Sequence, residues 1–293
     1  MDPEKRILIL RSHINRMPPL SPTVTKVLTL CNHVDATAVD LNKIISVDPV
    51  LMGKVLQLIN SAYYGMPQKV TSLVRAIILL GINTIKNMLL STAILSKLGQ
   101  KRDFQALEIV EFWKHSLAVG VTAKLIAAKH GFPQDELEGF FIAGLLHDIG
   151  KIPLNNKYAK EYLEVLNLSE NNHQALVISE NMALGTDHAR VGKLIAENWN
   201  LGDEITDTIT HHHDAGDYTG ENQALVYVVT LADYLVNTLE IGYSGNAFPT
   251  QIDPGVLAFL GSRLNVSYDR LRGVVKNINE EIDKAKIFLS ISG

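Results

Sequence analysis

Cysteine is almost absent from this chain: Cys31 stands alone in 293 residues. An intramolecular disulfide, a CxxC redox motif and a thiolate metal cage are thereby excluded, and Cys31 reads as a small buried thiol. Strand signals are scarce. No stretch reaches the roughly 18 apolar residues a membrane span needs. The opening "MDPEKRILIL" is too short in apolar residues for the core of a signal peptide. These absences together set the expectation of a cytoplasmic protein. A strong charge of either sign is also missing. The net charge of −4 gives no general electrostatic reason for nucleic acid or an anionic membrane as partner.

What is present is helix, nearly throughout. Hydrophobic residues make up 46% and charged residues 20%, ample for a globular core. "LSPTVTKVLTLCNHV" offers Ser21 as N-cap and Pro22 at the first helical position, followed by Val24, Val27, Leu28 and Cys31 at helical spacing. "DPVLMGKVLQLIN" repeats this logic with Asp48 and Pro49, after a short helix at "DLNKIIS". Further helices are expected at 73–80, 83–98 (capped by Asn83), 105–130, 135–149, 156–167, 171–183, 187–199, 203–213, 222–239, 254–263 and 267–288. Gly150 and Pro153 read as the stop of the 135–149 helix. The fold class is all-α. The charged stretch "GQKRD" at 99–103 is the nearest thing to a boundary, and it divides the chain into 1–100 and 101–293. "LNKIISVDPVLMGKVLQLIN" imitates a helix-turn-helix, but its second helix carries one basic residue, Lys54, among leucines. Core packing explains it better, so DNA is not an expected partner.

Eight of the ten histidines lie between 115 and 213. His115 shares a face with Phe112, Ala118, Val119 and Thr122; alone it reads as a core histidine bonded to a carbonyl. His147 and Asp148 follow "FFIAGLL", a helix apolar nearly all round and therefore buried. A buried pair with a basic residue is the plainer reading of Asp148. His188 opens "DHARVGKLIAENW", where Asp187 can cap and Val191, Ile195 and Trp199 continue its face. In "ITHHHDAGDY", Ile205 and Ile209 define a buried face that selects His212 and His213 and turns His211 elsewhere. Asp233 is the only charged residue of "ALVYVVTLADYLVNTL", on a face with Val226, Val229 and Val236. A lone carboxylate there needs a cationic partner from outside its helix. Imidazole and carboxylate donors without thiolates suit iron, manganese or zinc, and a metal would supply the charge both aspartates lack.

This joint pattern resembles a known family. His115, His147–Asp148 and Asp233 resemble the H…HD…D signature of the HD superfamily of metal-dependent phosphohydrolases, and "LLHDIGK" is close to its usual wording. His188, His212 and His213 resemble the extra ligands of the HD-GYP cyclic-dinucleotide phosphodiesterases. "MPPLSPTVTKVLTL", "ISVDPVLMGKVLQLINSAYYG" and "VTSLVRAIILLGINTIKNMLLS" look like an HDOD domain, the HD-related output domain of bacterial signalling proteins. "FWKHSLAVG", "LGTDHARVGKLIAENWNL" and "ITHHHDA" continue that resemblance over roughly 14–240. It implies a multi-helix HD bundle with an N-terminal helical HDOD subdomain, while the phosphodiesterase resemblance implies a cluster of two or three metals, often iron; two divalent ions, iron or manganese, are expected here. Many HDOD domains have lost the ligands; this sequence retains them. It departs from the phosphodiesterases in reading "HHDAGDYTG" where they have "HHExxDGxGYP", with Asp214 at the acidic position.

Two functions follow from these readings. One is a signalling output module with a metal centre and protein partners. The other is a phosphohydrolase acting on a nucleotide or other phosphate ester. In the second, Asp148 bridges two metals that share a hydroxide, and Lys151 holds a substrate phosphate, unless it is an ordinary solvated lysine.

Overall fold

The computed structural model describes residues 2–31, 33, 35–98, 106–263 and 268–292. The "GQKRD" boundary and the connection after it lie outside the described residues. Among those described the chain is all helical, with no strand. The N-terminal half holds α1 (Pro3–Ile14), α2 (Pro22–Cys31), α3 (Ala38–Ile45), α4 (Pro49–Ile59), α5 (Leu73–Leu80) and α6 (Ile82–Leu98). α1 was not expected. Asp2 caps it and Pro3 opens it, but its buried face is only Arg6, Leu10 and Ile14, too sparse to read as periodicity. The caps expected further on are present: Ser21 Oγ accepts from Val24 N at 3.3 Å and Asp48 Oδ1 from Leu51 N at 2.9 Å. Asn83 is no cap, because Gly81, at φ 85°, lets α6 begin one residue earlier. Cys31 is half-buried rather than enclosed, and burial pushes its thiol pKa up.

The second half holds α7 (Ile109–Lys129), α8 (Leu137–Leu146), α9 (Lys151–Lys157), α10 (Ala159–Asn172), α11 (Leu176–Leu184), α12 (His188–Trp199), α13 (Asp203–His211) and α14 (Gln223–Thr238). α15 (Pro254–Arg263), α16 (Tyr268–Ala285) and α17 (Ile287–Ser292) close the chain. The expected helix 135–149 stops at Leu146. A turn at His147–Gly150 follows, and Pro153, expected as a breaker, instead sits in the first turn of α9. There a missing N–H costs nothing, because the first four N–H groups of a helix have no partner within it.

One hydrophobic core runs through both halves. α6 packs on α2, α4 and α8, and α17 packs on α6. α5 and α6 together have the length and composition of a broken membrane span, bent by 114°, but no single described helix is long and apolar enough to cross a membrane. Packing of α6 on its neighbours accounts for its apolar surface.

Two glycine contacts set the positions of the histidine helices. α7 crosses α8 backbone to backbone at Gly120 and Gly144: a Cβ on Gly120 would stand 2.6 Å from the Phe141 carbonyl, and one on Gly144 would stand 2.8 Å from Gly120 Cα. His115 lies five residues before the first glycine and His147 three after the second. The second contact places Gly150 against the His188 carbonyl and the Gly192 N–H, leaving no room for any side chain. It presses the start of α12 onto the turn that carries Asp148.

Candidate metal centre

Five elements converge on Asp148. α7 brings His115, the turn after α8 brings His147, the first residue of α12 is His188, the end of α13 supplies His212 and His213, and α14 brings Asp233. His115, His147, Asp148, His188, His212 and Asp233 are each at most 7% exposed. His213 is half-buried.

The side chains form two groups that share Asp148. Near its Oδ2, His115 Nε2 lies at 3.9 Å and His147 Nε2 at 3.3 Å. Asp233 Oδ1 joins this group, 3.0 Å from His115 Nε2 and 3.3 Å from His147 Nε2. Asp148 Oδ1 faces the other way, 3.2 Å from His188 Nε2 and 3.8 Å from His212 Nε2. His213 Nε2 completes that group at 2.8 Å from His188 Nε2, and His212 Nε2 is 3.3 Å from it. Asp233, which lacks any cation on its own helix, therefore meets two histidines and the Asn237 amide at 2.8 Å.

The outer nitrogens of three rings are already committed. His147 Nδ1 donates to the Gly144 carbonyl at 2.7 Å, His212 Nδ1 to that of Ile209 at 2.9 Å, and His188 Nδ1 to Glu180 Oε2 at 2.5 Å. Each bond directs the remaining Nε2 inward. Three imidazole nitrogens thus point at one another around His188, close enough to share N–H···N hydrogen bonds or to surround one ion. His147 Nε2 and Asp148 Oδ1 are buried without a hydrogen-bond partner. Nitrogen ligands about 2.1 Å from a tetrahedral ion stand roughly 3.4 Å apart. The spacings at His188, 3.3 Å to His212 and 2.8 Å to His213, are at and below that value, so the three rings are close enough to share one ion.

The electrostatics of the two groups differ. Burial raises the pKa of Asp148, but His147 and Lys151 outweigh it and hold the carboxyl well below the usual range. Asp233 is likewise held low against its burial, by the His115 and His147 rings beside it. Burial would lower His147, yet the two aspartates push it up to about 10. His212 and His213 are lowered by burial and by neighbouring histidines, which keeps both rings neutral and ready to ligate.

Lys151 is 1% exposed and so is not a solvated lysine. Its Nζ lies 2.6 Å from Asp148 Oδ2 and 3.3 Å from Ser244 Oγ. The plainer reading of Asp148, a buried pair with a basic residue, is thus present alongside the histidines. His211 stays out of the cluster: its Nδ1 faces Asp214 at 3.1 Å and its ring lies against Tyr218. Asp187 caps α12, accepting from Arg190 N at 2.9 Å.

Sequence reasoning missed Glu180, Asn237 and Ser244. For Glu180 a signal existed. It lies four residues from both Leu176 and Leu184, which are buried, so it is a lone acid on an apolar helical face, as Asp233 is.

A cavity of about 320 Å³ opens on the cluster, reaching His212, His213 and Asp233. Its far wall includes Asp214, Asp217 and Asp253, and no lysine or arginine is among its described lining residues.

The model of the HDOD domain family matches residues 17–215. The chain belongs to the HDOD family. It is similar to an uncharacterised protein of Treponema pallidum (strain Nichols), 23% identical over 250 residues, which are 85% of this chain and 47% of that protein. This HDOD chain thus spans about half the length of the curated relative it matches. Among solved structures it resembles an HDOD domain protein of unknown function from Geobacter sulfurreducens, with 26% identity, 97% and 98% of the two chains covered, and a TM-score of 0.73. A candidate phosphohydrolase from Shewanella amazonensis SB2B matches at 20% identity over 97% and 98%, TM-score 0.70. A candidate signal transduction protein from Marinobacter aquaeolei VT8 matches at 18% over 98% of this chain and 65% of that one, TM-score 0.73. The last two likenesses establish the shared fold alone.

Proposed function

We propose that this HDOD protein is a signal-transduction module built around a centre of two divalent ions, iron or manganese, bridged by Asp148. The observation that carries the reading is the division of the Asp148 carboxylate, one oxygen toward each histidine group. His115, His147 and Asp233 would hold one ion and His188, His212 and His213 the other. Such a pair, when bound, lowers the pKa of a shared water and can polarise a phosphoryl group.

Phosphohydrolase activity is the second reading. The open cavity beside His213 and Asp233 favours it, because a small ligand could reach the ions. Two features favour the signalling role instead. The lysine that would hold a substrate phosphate is enclosed and paired with Asp148, and the described cavity wall offers carboxylates, which repel a phosphate. The proposed partners are other signalling proteins, reached through the packing of α6 on α8. Metal analysis of the purified protein, joined to a phosphate-ester screen with added iron or manganese, tests both readings. Two ions per chain without turnover is the expected result. Efficient turnover that disappears in Asp148→Ala would establish the enzyme. Absence of bound metal would overturn the centre itself.

A further inference from the structure

The two proposed ion positions are unequal in charge. The first has Asp148 and Asp233. The second has only its share of Asp148 and three imidazoles, those of His188, His212 and His213. A carboxylate stands one step behind this second position. Glu180 on α11 is 0% exposed, and its Oε2 accepts two hydrogen bonds from His188, from the main-chain N–H at 3.0 Å and from ring Nδ1–H at 2.5 Å. Its Oε1 accepts the Tyr162 hydroxyl of α10 at 2.6 Å. His147 and His212 have no such backing; their outer nitrogens donate to neutral carbonyls one turn back.

We infer that Glu180 is the positioning residue of the second ion position: it fixes the His188 ring with Nε2 inward and supplies, through that ring, the negative charge the position lacks. The inference rests on the two-ion reading above. Burying a carboxylate costs several kcal/mol unless its oxygens are satisfied. Three donors converge on Glu180 and satisfy both oxygens, two of them from His188. A carboxylate behind a ligating histidine raises the basicity of the ring and holds its orientation, and removing such a partner weakens metal binding about tenfold to a hundredfold.

The test compares wild type with Glu180→Gln, a shape-preserving change that removes the charge, using Mn²⁺ as the probe. Stepwise Mn²⁺ affinity is measured by titration calorimetry, and the ions are examined by electron paramagnetic resonance. Wild type should bind two ions that are magnetically coupled through Asp148. Glu180→Gln should bind the first ion as wild type does and the second about tenfold to a hundredfold more weakly. At one equivalent above saturation of the first position, its spectrum should be that of an isolated ion. Unchanged affinity for both ions would overturn the inference. So would equal loss of both, which would make Glu180 a support of the fold rather than of one position. A wild-type protein that takes up no second ion would instead overturn the two-ion reading. If Glu180→Gln fails to fold, Tyr162→Phe removes one donor and leaves the charge. It should weaken the second ion alone by a smaller factor, and no change there would equally overturn the inference.

Discussion

Among the described residues up to 98 the buried polar side chains are Arg6, Thr84, Asn87, Ser91 and Thr92, whereas the part from 106 to 240 encloses, among others, His115, Glu138, His147, Asp148, Lys151, Glu180, His188, His212 and Asp233. Ser91 and Thr92 are satisfied by the Met88 carbonyl of their own helix, at 3.0 and 2.8 Å. The polar groups of the second part are satisfied mainly by one another, across helices distant in sequence. One half, Arg6 apart, is therefore a stack of apolar faces that local periodicity can specify. The other buries charge, whose cost is met only when every helix is in place. Stability and the site should accordingly separate on mutation.

The largest effect is expected from Asp148→Ala. It removes the contact common to both groups and leaves Lys151 buried without its carboxylate. Breaking a buried pair by removing one partner costs about 3–5 kcal/mol. Urea denaturation of the metal-free variant should show that loss, and metal analysis should show neither ion. A variant as stable as wild type would mean that the pair contributes nothing.

Leu58→Ala in α4 tests the other half. Leu58 is 0% exposed, and a truncation of this kind costs about 2–5 kcal/mol. Bound metal per folded chain should stay at the wild-type value. A loss of metal in the folded variant would show that the halves are energetically one unit at the site.

The pH response should be of opposite sense for stability and for metal. His147 is raised from 6.5 to about 10. Its contribution to the metal-free fold is complete below its unfolded value and fades as pH rises through its folded one. The depressed Asp148 and Asp233 contribute above 3.8 and lose that contribution as pH falls toward their folded values. Chemical denaturation of metal-free protein should thus show stability declining from pH 6.5 upward. Mn²⁺ affinity should climb over the same interval, because the His147 proton must leave before Nε2 can bind a metal. Affinity independent of pH there would remove His147 from the ligand set.

The smallest effect belongs to His211→Ala. Its ring faces Asp214 and Tyr218, outside the cluster, so metal content should not change. Loss of metal in this variant, with retention in His212→Ala, would place the helix register one residue out.

Helix positions were legible because caps and apolar spacing are local. α5 matches its expected 73–80 span, and Asp187 caps α12 as read. The exceptions were α1, whose buried stripe is too thin, α9, where proline in a first turn looked like a stop, the break between α10 and α11, which falls at 173–175 and not at 168–170, and α17, which the expected 267–288 helix did not separate. The choice of His212 and His213 over His211 was legible for the same reason: one face of α13 carries Ile205 and Ile209. The isolation of Asp233 among apolar residues announced a distant cation, and a helical sequence needs no fold to show that. What the sequence could not disclose was which groups meet. The Gly120–Gly144 crossing and the Gly150–α12 contact are close approaches between separate helices. They decide that Asp148 faces two histidine groups, that Lys151 turns inward to it, and that Glu180 stands behind His188. Each of those pairings spans a turn or several helices, and a few ångströms of helix placement would undo any of them. Residue types and local periodicity therefore determined the all-α class and the inward-facing donors, while only tertiary packing decided their arrangement around one shared carboxylate.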